Sequence, residues 1–418
     1  MDIGRVRDEA VPKAGDTGRG MRDRRLIFRR HPRGWLYALG VALVAGLSLA
    51  LANVNSGALL RSVYLVDGLS HADHEPRLLK FVAQPVRRSR HRAHSSAGWA
   101  LDVDLYRPQM GEGPWPAVLL MPGFDRLGLE DPYIVGLARL LAGMGMVVSV
   151  PDLSELFEYR WTPDIGDRIA AAFDHMAGLP DVRADRLGLF GLSISGGLGL
   201  GAATRPGMAE RLSFSIAFAP FHDYARMLRF IATGCLERKA AECPGKPSEF
   251  ARRIFLYNYL HLVLPPSDPD YAPIREIIRL QLYQRPEEIS GQVAILSPAG
   301  RAILERMETG DEAMLAAAAE LAIAEFRESA AEASPHVRLC NLRGQLFIIH
   351  GRQDNVIPYS ESLGLFDHCR RCSDLVCNLH TTDLYGHVDH HGGFVRKLVG
   401  HVRLLFFVYR ITQTMLAE

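Results

Sequence analysis

FGLSISGG, residues 190–197, is the stretch on which the reading of this chain turns. The apolar run leading into it, RLGLF at 186–190, has the character of a buried parallel strand. The run that follows, Gly196 to Ala203, is able to start a helix. A serine on a sharp strand-to-helix turn, with small residues around it, has its hydroxyl lifted out of a sheet and exposed for attack. That turn is the nucleophile elbow G-x-S-x-G, with Gly191 as the first glycine and Ser193 as the nucleophile. The last position holds Ser195 instead of glycine. Ser195 is small enough for the turn and is assigned a structural role, although its hydroxyl is a second nucleophile candidate.

Three further motifs lie at strand-like runs. AVLLMPGFDRLG, 117–128, is an apolar strand opening into Pro122-Gly123-Phe124. LFIIHGRQDNVIP, 346–358, is a buried-strand pattern running into Gly351 and then Asp354. LHTTDLYGHVDHH, 379–391, is a shorter run that ends at Gly386-His387. Each candidate also has a plainer reading. Asp354 could form a turn before Pro358, because Asp hydrogen-bonds its own backbone in such places. His387 sits beside Asp389, His390 and His391, which could be a solvated loop or a metal cluster, and His390 is the second choice for a base. No other His/Asp pair has the spacing to complete a metal site, so neither a metal nor a cofactor is expected.

Taken in chain order, Ser193, Asp354 and His387 follow the Ser…Asp…His sequence of a hydrolytic triad, and with the Pro-Gly-Phe loop the chain resembles the α/β-hydrolase superfamily over about residues 98–418. The opening ALDVDLYRPQMGEGPWPAVLLMPGF resembles dienelactone-hydrolase-like and acetyl-esterase-like enzymes. The resemblance implies an α/β fold with a mostly parallel central sheet flanked by helices. It implies Ser193 as nucleophile, His387 as base and Asp354 as the group that orients the imidazole. It also implies an oxyanion hole built from the backbone amides of Phe124 and Ile194, worth about 2.7–4 kcal/mol for one donor. Pro122 stands where the superfamily usually has His or Gly, but that side chain is not a donor in the hole.

Between Ser193 and Asp354 lie 160 residues, more than the core needs. The sheet is expected to resume at LSFSIAFAPF, 212–221, and then to break off until Leu346. Residues 222 to about 335 carry apolar residues at three- and four-residue spacing and read as helices. An insertion at this point implies a helical cap over the site, before the acid-bearing strand. Phe230, Phe255, Tyr257 and Tyr259 suggest an apolar pocket, or simply the packing of that cap on the core.

At the other end, WLYALGVALVAGLSLALANV, 35–54, is twenty residues without a charge, long enough to cross a bilayer. MRDRRLIFRRHPRG ahead of it holds six arginines in fourteen residues, which puts residues 1–34 in the cytoplasm and the enzyme outside, in the periplasm of a bacterium. The run is read as a transmembrane anchor. A cleaved signal peptide, with Ala50-Leu51-Ala52 as its site, and a twin-arginine signal at Arg24-Arg25 are the alternatives. Only five of the 48 basic residues are Lys, the mark of a GC-rich coding sequence, so an Arg pair says little. Residues 55–97 are read as a juxtamembrane linker whose basic stretch PVRRSRHRAHSS lies near lipid head groups. The last apolar stretch, FVRKLVGHVRLLFFVYRITQTML, is interrupted by Arg403 and Arg410 and is expected to pack on the sheet.

Six cysteines, an even number, agree with an oxidising compartment. Of the possible pairings only the local one, Cys235–Cys243, is expected. Cys369-x-x-Cys372 lacks the partner spacing of a zinc site, and it does not lie at a helix start as a redox pair would. A net charge of +1 with no basic domain excludes nucleic acid as a partner. Two functional classes result. One is a membrane-anchored serine hydrolase of carboxylic esters, acting on a small-molecule or lipid-like substrate. The other is an acyltransferase using the same triad, or a catalytically silent scaffold.

Overall fold

A computed structural model describes residues 55–70, 76, 79–94, 98, 100–237, 243–383 and 394–416. Eight strands form one sheet in the order β1-β2-β4-β3-β5-β6-β7-β8. They are β1 (Val86–His94), β2 (Ala100–Pro108), β3 (Trp115–Met121), β4 (Val147–Pro151), β5 (Val182–Leu192), β6 (Leu212–Phe218), β7 (Gly344–Gly351) and β8 (Leu375–Thr382). Strands β1 and β2 are antiparallel to their neighbours, and β3 to β8 pair in parallel. The helices are α1 (Ser56–Leu69), α2 (Pro132–Gly143), α3 (Ser154–Phe157), α4 (Ile165–Ala177) and α5 (Ile194–Ala203), then α6 (Tyr224–Thr233) to α12 (Arg327–Ala333), and finally α13 (Tyr359–Cys369) and α14 (Phe394–Met415). This strand order is that of the α/β-hydrolase fold, in agreement with the reading of the motifs.

The parallel strands are apolar on both sides, and each side feeds a separate core. Along β3, Ala117, Leu119 and Met121 face one cluster while Val118 and Leu120 face the other, the two-residue alternation of an extended chain. The second cluster is completed by Tyr64 and Leu65 of α1, Leu137 and Leu141 of α2, and Leu404, Phe407 and Ile411 of α14. The first takes α4, α5, α13 and the helices inserted between β6 and β7. Helix α14 therefore packs on the sheet as expected, with Phe407 edge-on to Phe347 at 5.7 Å.

The described part of the inserted segment is built of helices and the loops between them, with no strand. It comprises α6, α7 (Glu249–Tyr259), α8 (Tyr271–Leu282), α9 (Ile289–Ile295), α10 (Pro298–Thr309), α11 (Glu312–Glu325) and α12. Cys235 and Cys243 are disulfide-bonded, as expected, and Cys340–Cys372 and Cys369–Cys377 are paired as well. Among the described residues no helix is long and apolar enough to cross a membrane. The run 35–54 and the basic segment before it lie outside the described residues.

The linker reading of residues 55–97 is corrected by the structure. Asn55 caps α1 by accepting from the Ala58 amide at 3.0 Å, and Ser62 of α1 donates to Ala58 O while lying 3.0 Å from Thr412 of α14. Val86–His94 is an edge strand, in full register with β2. Its arginines hid it, because a strand with cations on alternate positions reads as a solvated tail. Their charges are answered across the ladder: Arg90 Nε donates to Asp104 Oδ1 at 2.8 Å, Arg88 Nε to Asp104 Oδ2 at 2.9 Å, and both guanidinia reach Glu130. A charged edge also resists pairing with other chains.

Asp104 is almost wholly buried. Burial disfavours its ionised form, but hydrogen bonds from Arg90 and Arg88 outweigh this and hold its carboxyl below the usual range. A depressed folded value stabilises the fold above the unfolded value of about 3.9 and ceases to do so as pH falls through the folded one. Asp104→Asn is expected to cost about 1–2 kcal/mol at neutral pH, at the low end for a buried pair because Arg90 is half exposed. Urea unfolding at several pH values checks this, since the difference from the parent protein should shrink below about pH 4.

Candidate active site

Ser193 occupies the single residue between the end of β5 and the start of α5. Its backbone is at φ 56°, ψ −126°, a conformation that side chains other than glycine rarely adopt and that stores about 1–3 kcal/mol. Two hydrogen bonds hold the turn there: Ser193 N donates to Phe218 O at 2.7 Å, and Gly196 N donates to Ser193 O at 2.8 Å. Gly191 is required by space. A Cβ at that position would stand 2.3 Å from Ser195 O and 2.7 Å from Gly196 Cα, both backbone atoms that cannot step aside.

The loop after β3 lies directly against this turn. A Cβ on Gly123 would sit 3.3 Å from Ser193 Cβ and 3.9 Å from its Oγ. Ser195, fully buried, donates its hydroxyl to the Pro122 carbonyl at 2.5 Å. The residue that departs from the elbow pattern thus ties the elbow to the Pro-Gly-Phe loop, a structural part as expected of it. Among the described residues the amides of Phe124 and Ile194 meet no protein acceptor, and Ile194 opens a ten-residue helix whose N-terminal dipole favours negative charge.

Asp354 follows the end of β7 and is buried. Its Oδ1 accepts from the amides of Val356 at 2.8 Å and Ile357 at 3.0 Å, so the turn-forming reading describes one of its oxygens. Its Oδ2 lies 3.4 Å from His350 Nε2, and that imidazole is fixed by Ser362 Oγ at 2.6 Å and Ile357 O at 2.8 Å. His387, with His390, lies outside the described residues. What is described is the strand that leads to it: β8 ends at Thr382, which pairs with Gly351 at the same end of the sheet that carries Asp354.

A narrow cavity, open to solvent on one side, is lined by Ser193, Ile194 and Phe124 on the sheet side. The turn after Asp354 adds Val356 and Ile357. The inserted helices close it with Met227, Leu228, Ile231, Ala251, Ile254 and Phe255. Of the polar side chains in its wall, Tyr224, Tyr259 and Asn258 are already hydrogen-bonded, while the buried Trp161 indole N–H meets no acceptor among the described residues. Tyr224 and Tyr259 share a hydrogen bond at 3.1 Å, and burial pushes the Tyr259 hydroxyl up to about 12 and the Tyr224 hydroxyl well above its usual value, so neither ionises near neutral pH. Asn258 accepts from Trp161 N at 3.0 Å and donates to Tyr159 O and Ile254 O at 2.8 Å each. Beside Ser193 the protein therefore offers an apolar space.

Phe255 and Tyr259, singled out from the sequence, do line this cavity, whereas Tyr257 and Phe230 do not. Trp161 was not legible. It comes from the irregular stretch after α3, where no periodicity marks a position as inward, and it is placed by stacking on Tyr224 with ring centroids 5.0 Å apart.

No protein-family model matches the chain, and no curated protein matches it by sequence. Among solved structures it is similar to dipeptidyl peptidase 4 of Porphyromonas gingivalis, with 14% identity and a TM-score of 0.44 over 80% of this chain and 38% of that one. It is similar to an acylaminoacyl peptidase of Pyrococcus horikoshii, with 12% identity and a TM-score of 0.46 over 80% of this chain and 42% of that one. It is also similar to a 2,6-dihydroxy-pseudo-oxynicotine hydrolase, with 17% identity and a TM-score of 0.40 over 79% of this chain and 68% of that one. The chain spans less than half the length of the two peptidases.

Proposed function

We propose that the chain is a serine hydrolase that cleaves carboxylic esters with an apolar group next to the scissile bond. The observation that carries this is the strained Ser193 turn opening on an apolar cavity. Ser193 attacks the ester carbonyl while His387 takes its proton, and Asp354 holds the imidazole in the needed tautomer. The amides of Phe124 and Ile194 receive the oxyanion at the N-terminus of α5. His387 then returns the proton to the departing alcohol, and water activated by the same base releases the acid. The helices between β6 and β7 act as a cap that excludes water and selects the apolar group. The test is a fluorophosphonate probe, which should label Ser193 in the folded chain, followed by a chain-length series of nitrophenyl esters and matching anilides. Failure of the folded protein to label would overturn the assignment. Product partitioning to an added alcohol well above its molar share would identify an acyltransferase instead.

The same proposal places the protein at a membrane through residues 35–54, with the enzyme on the far side from the cytoplasm. The uncharged run and the arginines before it support this. Retention in the membrane pellet after an alkaline carbonate wash, with residue 35 still present on N-terminal sequencing, is the expected result; release of a chain starting near 53 indicates a cleaved signal.

Ser195 supplies a sharper expectation. Ser195→Ala removes the donor from the buried Pro122 carbonyl and loosens the loop that carries the Phe124 amide. Turnover is expected to drop about 10-fold with KM little changed, since a donor aimed at the oxyanion acts in the transition state. A change in KM alone, measured with one nitrophenyl ester, would count against this role.

A further inference from the structure

A second group of chemically capable side chains gathers at the base of the inserted helices. His222 stands where the chain leaves β6 for the insertion, and Cys340 where it returns toward β7. His368 and Cys372 come from the last turn of α13 and the residues just beyond it. Cys340 and Cys372 are joined as a disulfide, and the ligand atoms of Cys340, His368 and Cys372 all lie within 4.8 Å of one another. Nε2 of His368 is 4.0 Å from Cys340 Sγ, and its Nδ1 is 3.3 Å from His222 Nε2. With the His368 proton on Nδ1, directed at His222, the Nε2 lone pair is left for a ligand, 4.0 Å from Cys340 Sγ. This is how a metal-bound imidazole is held, one nitrogen toward the ion and the other given to a fixed acceptor.

We propose that reduction of the Cys340–Cys372 disulfide creates a site for a zinc-class divalent cation, bound by Cys340 Sγ, Cys372 Sγ and His368 Nε2, with His222 as a positioning residue and solvent in the fourth place. A dithiol reductant supplies the two electrons and two protons: the protein disulfide becomes two thiols and the reductant becomes a cyclic disulfide. Binding the ion then releases both thiol protons. The sulfurs must part to about 3.8 Å, the separation of two thiolates each about 2.3 Å from a tetrahedral ion, and the imidazole nitrogen, now 4.0 Å from Cys340 Sγ, must come to roughly 3.6 Å from each sulfur. Cys340 is exposed, which gives the ion a way in and leaves the fourth position open to water. Either link, disulfide or metal, ties the end of α13 to the chain returning from the insertion. The sequence concealed this because Cys369 of the C-x-x-C pair is bonded to Cys377, while the partner of Cys372 is 32 residues away.

Cobalt(II) serves as the probe, since thiolate ligation gives near-ultraviolet charge-transfer bands. The oxidised full chain should show none. After reduction it should bind one ion per chain with those bands, and zinc should displace it. Cys340→Ser should weaken binding by about 100-fold or more and His368→Ala by at least about 10-fold, while Cys369→Ser leaves it within about 3-fold. Should reduction unfold the chain, Cys340→His prepared without reductant frees Cys372 with the other two disulfides intact, and it should bind cobalt(II) directly. A folded reduced chain without thiolate bands, binding that survives Cys340→Ser, or a Cys340→His chain that binds nothing would each overturn the site.

Discussion

Ser193→Ala is expected to abolish fluorophosphonate labelling and to lower ester turnover by about 10⁴-fold or more, leaving the far-ultraviolet circular dichroism unchanged. The size follows from the role: without the nucleophile the oxyanion donors and the cavity can only bind and orient the ester, which retains a small part of the rate enhancement. The same position separates catalysis from stability. At φ 56° alanine is as strained as serine, because the penalty comes from Cβ and not from the hydroxyl. Ser193→Gly removes that atom and should be inactive yet more stable than Ser193→Ala by about 1 kcal/mol in denaturant unfolding. A fold that holds a serine in this conformation is giving up stability for geometry at one residue. Labelling that persists in Ser193→Ala, or that moves to Ser195, would remove Ser193 from the mechanism.

The fold was legible because it rests on runs that bury both faces. Ala117–Met121, Arg186–Phe190 and Leu346–His350 read as parallel strands since helices cover both sides of them. Where that rule does not hold, the reading failed. β1 lies at the edge, carries arginines and answers them with Asp104 and Glu130 from other elements, and no local pattern reports a partner that far along the chain. The elbow was legible for another reason: Gly191 and Ser193 meet a requirement set within six residues, by Ser195 O and Gly196 Cα. The hydrogen bond from Ser195 to Pro122 spans 73 positions, so the serine showed only as a departure from pattern. The pocket was half legible. Phe255 and Tyr259 lie on a helix whose spacing marks an inward face, but which face closes on Ser193 depends on how the helices stack, and Trp161 had no spacing to mark it.

Filling the cavity should separate long esters from short ones. Ala251 is buried on the first turn of α7 and lines the cavity across from the sheet. Ala251→Trp places an indole in the space proposed for the apolar group. Each methylene excluded from such a pocket loses about 0.8 kcal/mol of burial, so a six-carbon acyl or alcohol chain should lose about 100-fold or more in kcat/KM. An acetate ester of a short alcohol needs little of the space and should change by less than about 5-fold. Overpacking is expected to cost about 1–3 kcal/mol of stability, which thermal unfolding measures separately. Lengthening the acyl and the alcohol halves in turn shows which of them the cavity takes, because only that series should steepen in the variant. A loss equal for every ester would mean that the indole had displaced the Ser193 turn. No loss for any of them would mean that substrate approaches Ser193 from another side, and the apolar wall built by α6 and α7 would then be packing alone.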